Sequence, residues 1–286
     1  MKPLNIFFSV DKNYLVHFTV TVTSLLENNK DLDISIYVIH DLEDISELEK
    51  INTFFHEKYG VKLYLTELDN KIFSNFYISD YISKATYFRL LFAEIIPENV
   101  VSGLSLDCDT IVTGSLSGLA DSSFFSEDNK REYSLLAVSD KGEAKEIERF
   151  EKLGLSTKMY FNAGVMLLNL GKWRLDNASH GLIKIAEEYK NILVWHDQDV
   201  LNIYFRNNCG KLEPTYNSFA EEEVSKLPLI IHFSGSSKPW HFYNSHPYKS
   251  LYWKYLQMTP FKNEKFEKIT LKKIIKKSLR ILRTGK

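Results

Sequence analysis

The chain has 286 residues, 44% of them hydrophobic and 26% charged, with a formal net charge of -1. This is an ordinary globular composition with ample core for one large domain or two small ones. Only two cysteines occur, Cys108 and Cys209, so there is neither a disulfide framework nor Cys/His metal spacing, and a reducing cytosol is expected. The charge is uneven. From Phe261 to Lys286 there are ten Lys/Arg and two Glu, which leaves 26 basic and 35 acidic residues of the totals of 36 and 37 for the rest. An acidic body argues against general nucleic-acid binding, and a basic tail on it points to an anionic surface.

Leu4 to Val10 reads as a buried strand ended by the polar turn Asp11-Lys12-Asn13. That turn interrupts the apolar run and no small-residue cleavage site follows, so the segment is a first strand and not a signal peptide. A helix is expected from Tyr14 to Glu27, then a second buried strand from Ile34 to Ile39. Asp44-Ile45-Ser46-Glu47 opens a helix that Gly60 closes, and Val61 to Leu65 forms a third strand. This alternation implies a parallel sheet covered by helices on both faces. A helical stretch over Lys84 to Ile95 stops before Pro97. Gly103 to Leu106 is a strand ending at Asp107, Leu135 to Val138 is another, and Phe161 to Leu170 is a further buried strand. Helices are expected over Trp173 to Tyr189 and Asp197 to Asn207, and Leu227 to His232 is the last core strand. No apolar stretch approaches a membrane span. The composition breaks near residues 255 to 262, which separates a body, 1–255, from a tail, 256–286. In the tail, Leu271, Ile274, Ile275, Leu279 and Leu282 fall at helical spacing amid lysines and arginines, the pattern of an interfacial amphipathic helix; a helix docked on its own domain is the alternative.

Two distant segments carry the chemistry. Asp107-Cys108-Asp109 offers two carboxylates where a strand ends, and in open α/β sheets ligands bind beyond the carboxyl ends of strands. His232-Phe233-Ser234-Gly235-Ser236-Ser237-Lys238 offers an imidazole, a glycine for close backbone approach and a lysine for phosphate. Together they describe a site for a metal-chelated diphosphate. Asp-x-Asp alone is weak, arising about once by chance in such a chain. It occurs here at Asp31/Asp33, Asp107/Asp109 and Asp197/Asp199. The first fits a solvated turn, and Asp197 would also serve as a helix N-cap. His17, His40, His56, His180, His241 and His246 show no partner pattern and read as surface or packing residues, and His196 as incidental. Cys108 reads as a structural thiol.

Six segments, in order, resemble glycosyltransferase family 8 over roughly residues 4 to 245. They are Phe8-Ser9-Val10-Asp11-Lys12-Asn13-Tyr14, Tyr87-Phe88-Arg89-Leu90, Leu106-Asp107-Cys108-Asp109, Tyr160-Phe161-Asn162-Ala163-Gly164-Val165, Asp197-Gln198-Asp199-Val200-Leu201-Asn202, and His232 to Trp240. The resemblance implies the GT-A fold, an α/β Rossmann-like, mostly parallel sheet flanked by helices. It implies a retaining transferase that moves galactose or glucose from a UDP-sugar to a glycan, lipid-linked or protein-linked glycan acceptor, with Mn2+ or Mg2+. Carried over by position, the metal ligands are Asp107, Asp109 and His232. The donor contacts are Ser9, Asp11, Asn13, Tyr14, Arg89, Asp107, Cys108, Gly235 and Lys238. Asn162, Asp197 and Gln198 lie around the transferred sugar, with Gln198 in the place of a debated nucleophile; an amide is a poor nucleophile, and front-face attack stays open beside double displacement. The expected location is the cytoplasm, at the inner face of the membrane through the basic tail. Two rival readings stand beside this one: a haloacid-dehalogenase-like phosphatase, which also uses paired aspartates after an apolar strand, and a non-catalytic nucleotide-sugar-binding protein at the membrane.

Overall fold

The computed structural model describes residues 3–73, 76, 84–120, 133–219, 225–241 and 244–264. The amphipathic helix expected around Leu271 to Leu282 lies outside them. In chain order the elements are β1 (Leu4–Val10), a 3₁₀ turn (Lys12–Tyr14), α1 (Leu15–Glu27), β2 (Ile34–His40), α2 (Ser46–Tyr59) and β3 (Leu63–Glu67). Then follow a 3₁₀ helix (Lys84–Leu91), α3 (Phe92–Ile95), β4 (Ser102–Leu106), β5 (Thr110–Val112), β6 (Leu135–Ser139) and α4 (Glu143–Lys152). The last are β7 (Phe161–Asn169), α5 (Leu170–Leu175), α6 (Ala178–Glu188), α7 (His196–Phe205), β8 (Cys209–Lys211), β9 (Ile230–His232) and α8 (Lys249–Leu256).

Seven strands form one sheet in the order β3-β2-β1-β4-β7-β6-β8, and β5 pairs with β9 apart from it. Neighbouring strands run parallel except where β7 meets β4 and β6, both antiparallel. The central strands of the sheet are buried on both faces. In β1, Ile6, Phe8 and Val10 pack with Phe18, Val22 and Phe55 on one side, while Phe7 packs with Phe92 and Trp173 among others on the opposite side. That two-sided burial explains why these strands read as unbroken apolar runs. Burying each such side chain stabilises the fold by about 1.5–3 kcal/mol.

Three local expectations need correction. The stretch before Pro97 is mostly 3₁₀ and becomes α-helical only at Phe92. Trp173 to Tyr189 is not one helix: the chain breaks at Asn177, whose φ of 49° is left-handed. The segment ending at His232 contributes only β9, which joins β5 and not the main sheet. Helices α4 and α8 and strands β5 and β8 were not foreseen; charged residues fill most positions of α4, and β5 and β8 are three residues long.

The Thr-rich character of α1 has a structural purpose. The hydroxyl of Thr21 donates to the carbonyls of Cys108 and Thr110, at 2.9 and 2.8 Å, and Ser24 Oγ accepts from the Val112 N–H. Buried hydroxyls on α1 thus hold the turn between β4 and β5. At the other end, α8 packs with Val20, Ile111, Ile231 and Phe233, and Phe261 packs with the same cluster. Among the described residues no helix is long and apolar enough to cross a membrane.

Candidate active site

The topology brings five chain segments to one edge of the sheet. Strands β1 and β4 are parallel neighbours, so the turns that follow them, at Asp11 and at Asp107, emerge side by side. Strand β7 runs against β4 with Leu106 opposite Val165, so its beginning lies where β4 ends, and the Asp107 N–H donates to the Gly164 carbonyl at 2.8 Å. Strand β6 also ends here, which delivers Asp140; its N–H donates to the Tyr160 carbonyl at 2.9 Å. The ladder of β5 and β9 sets Thr110 opposite His232.

Asp107, Asp109 and His232 converge, each offering a ligand atom within 4.8 Å of the others. His232 Nε2 lies 3.3 Å from Asp109 Oδ1 and 3.8 Å from Asp107 Oδ2. Asp109 and His232 are buried, whereas the Asp107 side chain is 30% exposed and gives the cluster its opening. Asp109 Oδ1 is buried with no hydrogen-bond partner. An orphaned carboxylate oxygen facing a second carboxylate and an imidazole is what a hard divalent cation satisfies, so these residues fit one. The other Asp109 oxygen accepts from the Lys238 ammonium, which also donates to the Phe233 carbonyl at 3.0 Å. Burial disfavours the Asp109 charge, but the Lys238 ammonium outweighs it and holds the carboxyl well below the usual range. Gly164 makes room for the ring: a Cβ there would sit 2.2 Å from His232 Cε1 and 3.0 Å from Asp107 Oδ2.

Arg89 is buried and ties two parts of the site together. It donates to Asp107 Oδ1 at 2.6 Å, to the Ala163 carbonyl at 2.6 Å, and pairs with Asp197 Oδ2 at 3.0 Å. Burial pushes the Asp197 carboxyl up to about 6, with Arg89 opposing and Asp107 adding to the rise. Asp197 does not cap α7; it sits in the first turn and takes its contacts from Arg89 and the Thr86 hydroxyl. Asp199, fully buried, accepts from the Val194 and Trp195 N–H groups and from the Tyr160 hydroxyl, which fixes the start of α7.

Beside the charged cluster lies a set of amides. Asn162 Nδ2 donates to Asp140 Oδ2 at 3.0 Å and to Gln198 Oε1 at 3.1 Å. Gln198 Oε1 also accepts from the Ala163 N–H at 3.1 Å, and Gln198 Nε2 donates to Asp140 Oδ2 at 3.3 Å. Asn217 Nδ2 donates to Asn162 Oδ1 at 3.0 Å, and Asn217 Oδ1 lies 3.0 Å from His232 Nδ1. Sequence reasoning missed Asp140 and Asn217. Asp140 had a signal, since it closes the apolar run Leu135–Ser139 as Asp107 closes β4. Asn217 had none.

The remaining segments flank the aspartates. Gly235 has φ of +84°, a left-handed conformation that favours glycine. The segment after it is clamped: the Trp253 indole N–H donates to the Pro239 carbonyl at 3.1 Å, and Trp240 stacks on His17, which bonds Tyr252. Tyr14 meets Trp240 edge to face, and burial with the nearby carboxylates raises its phenol well above the ordinary range. Asp11 Oδ1 caps the turn by accepting from the Asn13 and Tyr14 N–H groups, while Asn13 is exposed. The Ser9 hydroxyl is buried without a partner. The Cys108 thiol is buried, raised by its burial and by both aspartates, and leans on the Ser9 carbonyl. Both cysteines are free thiols.

The family profile described as glycosyl transferase family 8 matches residues 5–244. The chain is 28% identical over 281 residues to general stress protein A of Bacillus subtilis, covering 90% of this chain and 94% of that protein. It is 28% identical over 295 residues to a lipopolysaccharide 1,2-glucosyltransferase of Escherichia coli, covering 96% and 83%. Its fold matches the crystal structure of the galactosyltransferase LgtC in complex with donor and acceptor sugar analogues, with a TM-score of 0.76 at 23% identity over 96% of this chain and 100% of that one.

Proposed function

Because the chain belongs to glycosyl transferase family 8, we propose that it transfers a hexose, galactose or glucose, from a UDP-sugar to a glycan, glycolipid or glycoprotein acceptor with retention of the α configuration. The observation that carries this reading is the convergence of Asp107, Asp109 and His232 around a buried, unpartnered carboxylate oxygen, with Lys238 beside it. These three residues would hold Mn2+ or Mg2+, and the bound cation would offset charge on the departing diphosphate. Gly235 and Lys238 contact the diphosphate, the lysine as a point charge. Ser9, Asp11, Asn13, Tyr14 and Cys108 form the uridine side; Asp11 would use Oδ2, since Oδ1 caps its own turn. Arg89 acts by fixing Asp107 and Asp197.

Asn162, Asp197, Gln198 and Asp140 face the sugar. Gln198 Oε1 accepts two hydrogen bonds, so both of its lone pairs are engaged. This supports front-face attack: the acceptor oxygen bonds to the anomeric carbon as the bond to phosphate breaks, and the acceptor proton passes to the departing phosphate. The phosphatase reading loses support because the Thr110 hydroxyl is turned back onto the Asp107 carbonyl.

The test is UDP release from a panel of UDP-sugars with Mn2+, followed by NMR of the product. Release that survives excess EDTA would remove the metal assignment, and a β linkage would remove the retaining mechanism. Donor binding without any turnover would favour the non-catalytic alternative.

The basic tail is proposed to hold the enzyme at the cytoplasmic face of an anionic membrane, each Lys/Arg near the surface contributing roughly 1 kcal/mol. Because Phe261 packs on the body, truncation belongs after Glu264. The shortened protein should lose sedimentation with anionic vesicles and keep donor hydrolysis; unchanged sedimentation would refute the role of the tail.

A further inference from the structure

Asn217 belongs to no motif, yet it joins the two halves of the site. It is 1% exposed and precedes Ser218, whose carbonyl accepts the His232 N–H at 2.9 Å, so the backbone keeps it beside that imidazole. Its amide spans from His232 Nδ1 to Asn162 Oδ1, both at 3.0 Å.

The direction of these hydrogen bonds is fixed from outside the chain of side chains. The Gly164 N–H can only donate, and it points to Asn162 Oδ1 at 3.0 Å. The Asp140 carboxylate can only accept when ionised, and it takes the other end of the same amide. Asn162 therefore presents its oxygen to Asn217, so Asn217 must present its NH2 there and its oxygen to His232. His232 must then carry a proton on Nδ1. The neutral ring is left with a lone pair on Nε2, aimed at Asp109 Oδ1 and Asp107 Oδ2. A lone pair facing two carboxylates is repulsive until a cation lies between them.

We propose that Asn217 is a positioning residue: it transmits the polarity of the β7 backbone to His232, holds the Nδ1–H tautomer, and so turns Nε2 into the ligand atom. The partner of a ligating imidazole commonly sets tautomer and orientation in this way. Here the same amide also orients Asn162, so one residue aligns the cation site and the sugar site together. This inference rests on the glycosyltransferase reading for its cation, but not for the tautomer.

The first measurement uses the wild-type, metal-free chain. Long-range ¹H–¹⁵N NMR, taken at a pH where the ¹⁵N shifts themselves report a neutral ring, should show His232 protonated at Nδ1 and bare at Nε2. The reverse tautomer would overturn the proposal. The second is Mn2+ affinity by calorimetry. Asn217→Leu should bind Mn2+ about 10–100-fold more weakly. Asn217→Asp keeps an acceptor for Nδ1–H and should restore the affinity, but it cannot donate to Asn162 and should leave turnover low. Unchanged Mn2+ affinity in the leucine variant, or full turnover in the aspartate variant, would refute the relay. If the wild type binds no Mn2+, the functional reading fails by itself, and the tautomer still decides the role of Asn217.

Discussion

The Asp107/Asp109 side and the Gln198 side of this site are built from opposite materials. Around Asp107 and Asp109 the contacts are ionic: Arg89 holds one aspartate, Lys238 the other, and His232 closes the group. Around Gln198 the contacts are chiefly amide hydrogen bonds, with Asp140 the one carboxylate that receives them. Buried charges are stable only when paired, and removing one partner typically costs 3–5 kcal/mol. A neutral amide network instead gives direction, because each group can donate at one end and accept at the other. The charged half should therefore respond to loss of charge, and the amide half to loss of orientation.

The largest expected effect is at Asp109. Asp109→Asn removes a charged ligand and leaves the Lys238 ammonium without its carboxylate, so kcat/KM should fall by at least about 10²-fold. Steady-state kinetics against Mn2+ concentration would check it, and activity near wild type would mean the cation site lies elsewhere. Gly164→Ala tests the seam between the halves. No charge changes, yet the new methyl would collide with the His232 ring, and Mn2+ affinity should drop roughly 10-fold or more. A crystal structure of the variant with His232 unmoved would contradict that. On the amide side, Gln198→Ala should lower kcat while Mn2+ affinity by calorimetry stays the same; parallel losses in both would erase the distinction between the halves. Lys238→Ala should weaken UDP binding and spare uridine. Equal loss for both ligands would make the lysine a support of the fold.

The smallest effect concerns stability. Burial lowers His17 from 6.5 to about 3, with Asp109 opposing and His241 and Lys238 reinforcing the fall. The unfolded chain binds this proton more readily, so the contribution of His17 is complete above about pH 6.5 and is lost as pH falls towards 3. His17→Phe should flatten the decline of Tm across that window. An unchanged slope would show that other groups control acid unfolding.

Much of the Asp107/Asp109 side was legible because its signals are local. An apolar strand ending in Asp107, and an apolar segment ending in His232 before a glycine and a lysine, each announce themselves within a few residues. Asp140 sat in the same kind of position but lacked a second acid to draw notice. The histidines outside the motifs read as surface or packing residues, and His17 is a packing one: it stacks on Trp240 and bonds Tyr252.

Chain order and residue chemistry thus determined the strand and helix alternation, the metal-type donor set and the family, because apolar periodicity and strand-end acids are short-range properties. Tertiary structure decided what touches what. The antiparallel entry of β7 between β4 and β6 placed Asn162, Gly164 and Asp140 at one edge. The small β5–β9 ladder set His232 against Asp109, and the bridge beside it brought in Asn217. Those pairings join residues tens to more than a hundred positions apart. Their register follows from how both faces of the sheet are covered, which no local pattern encodes.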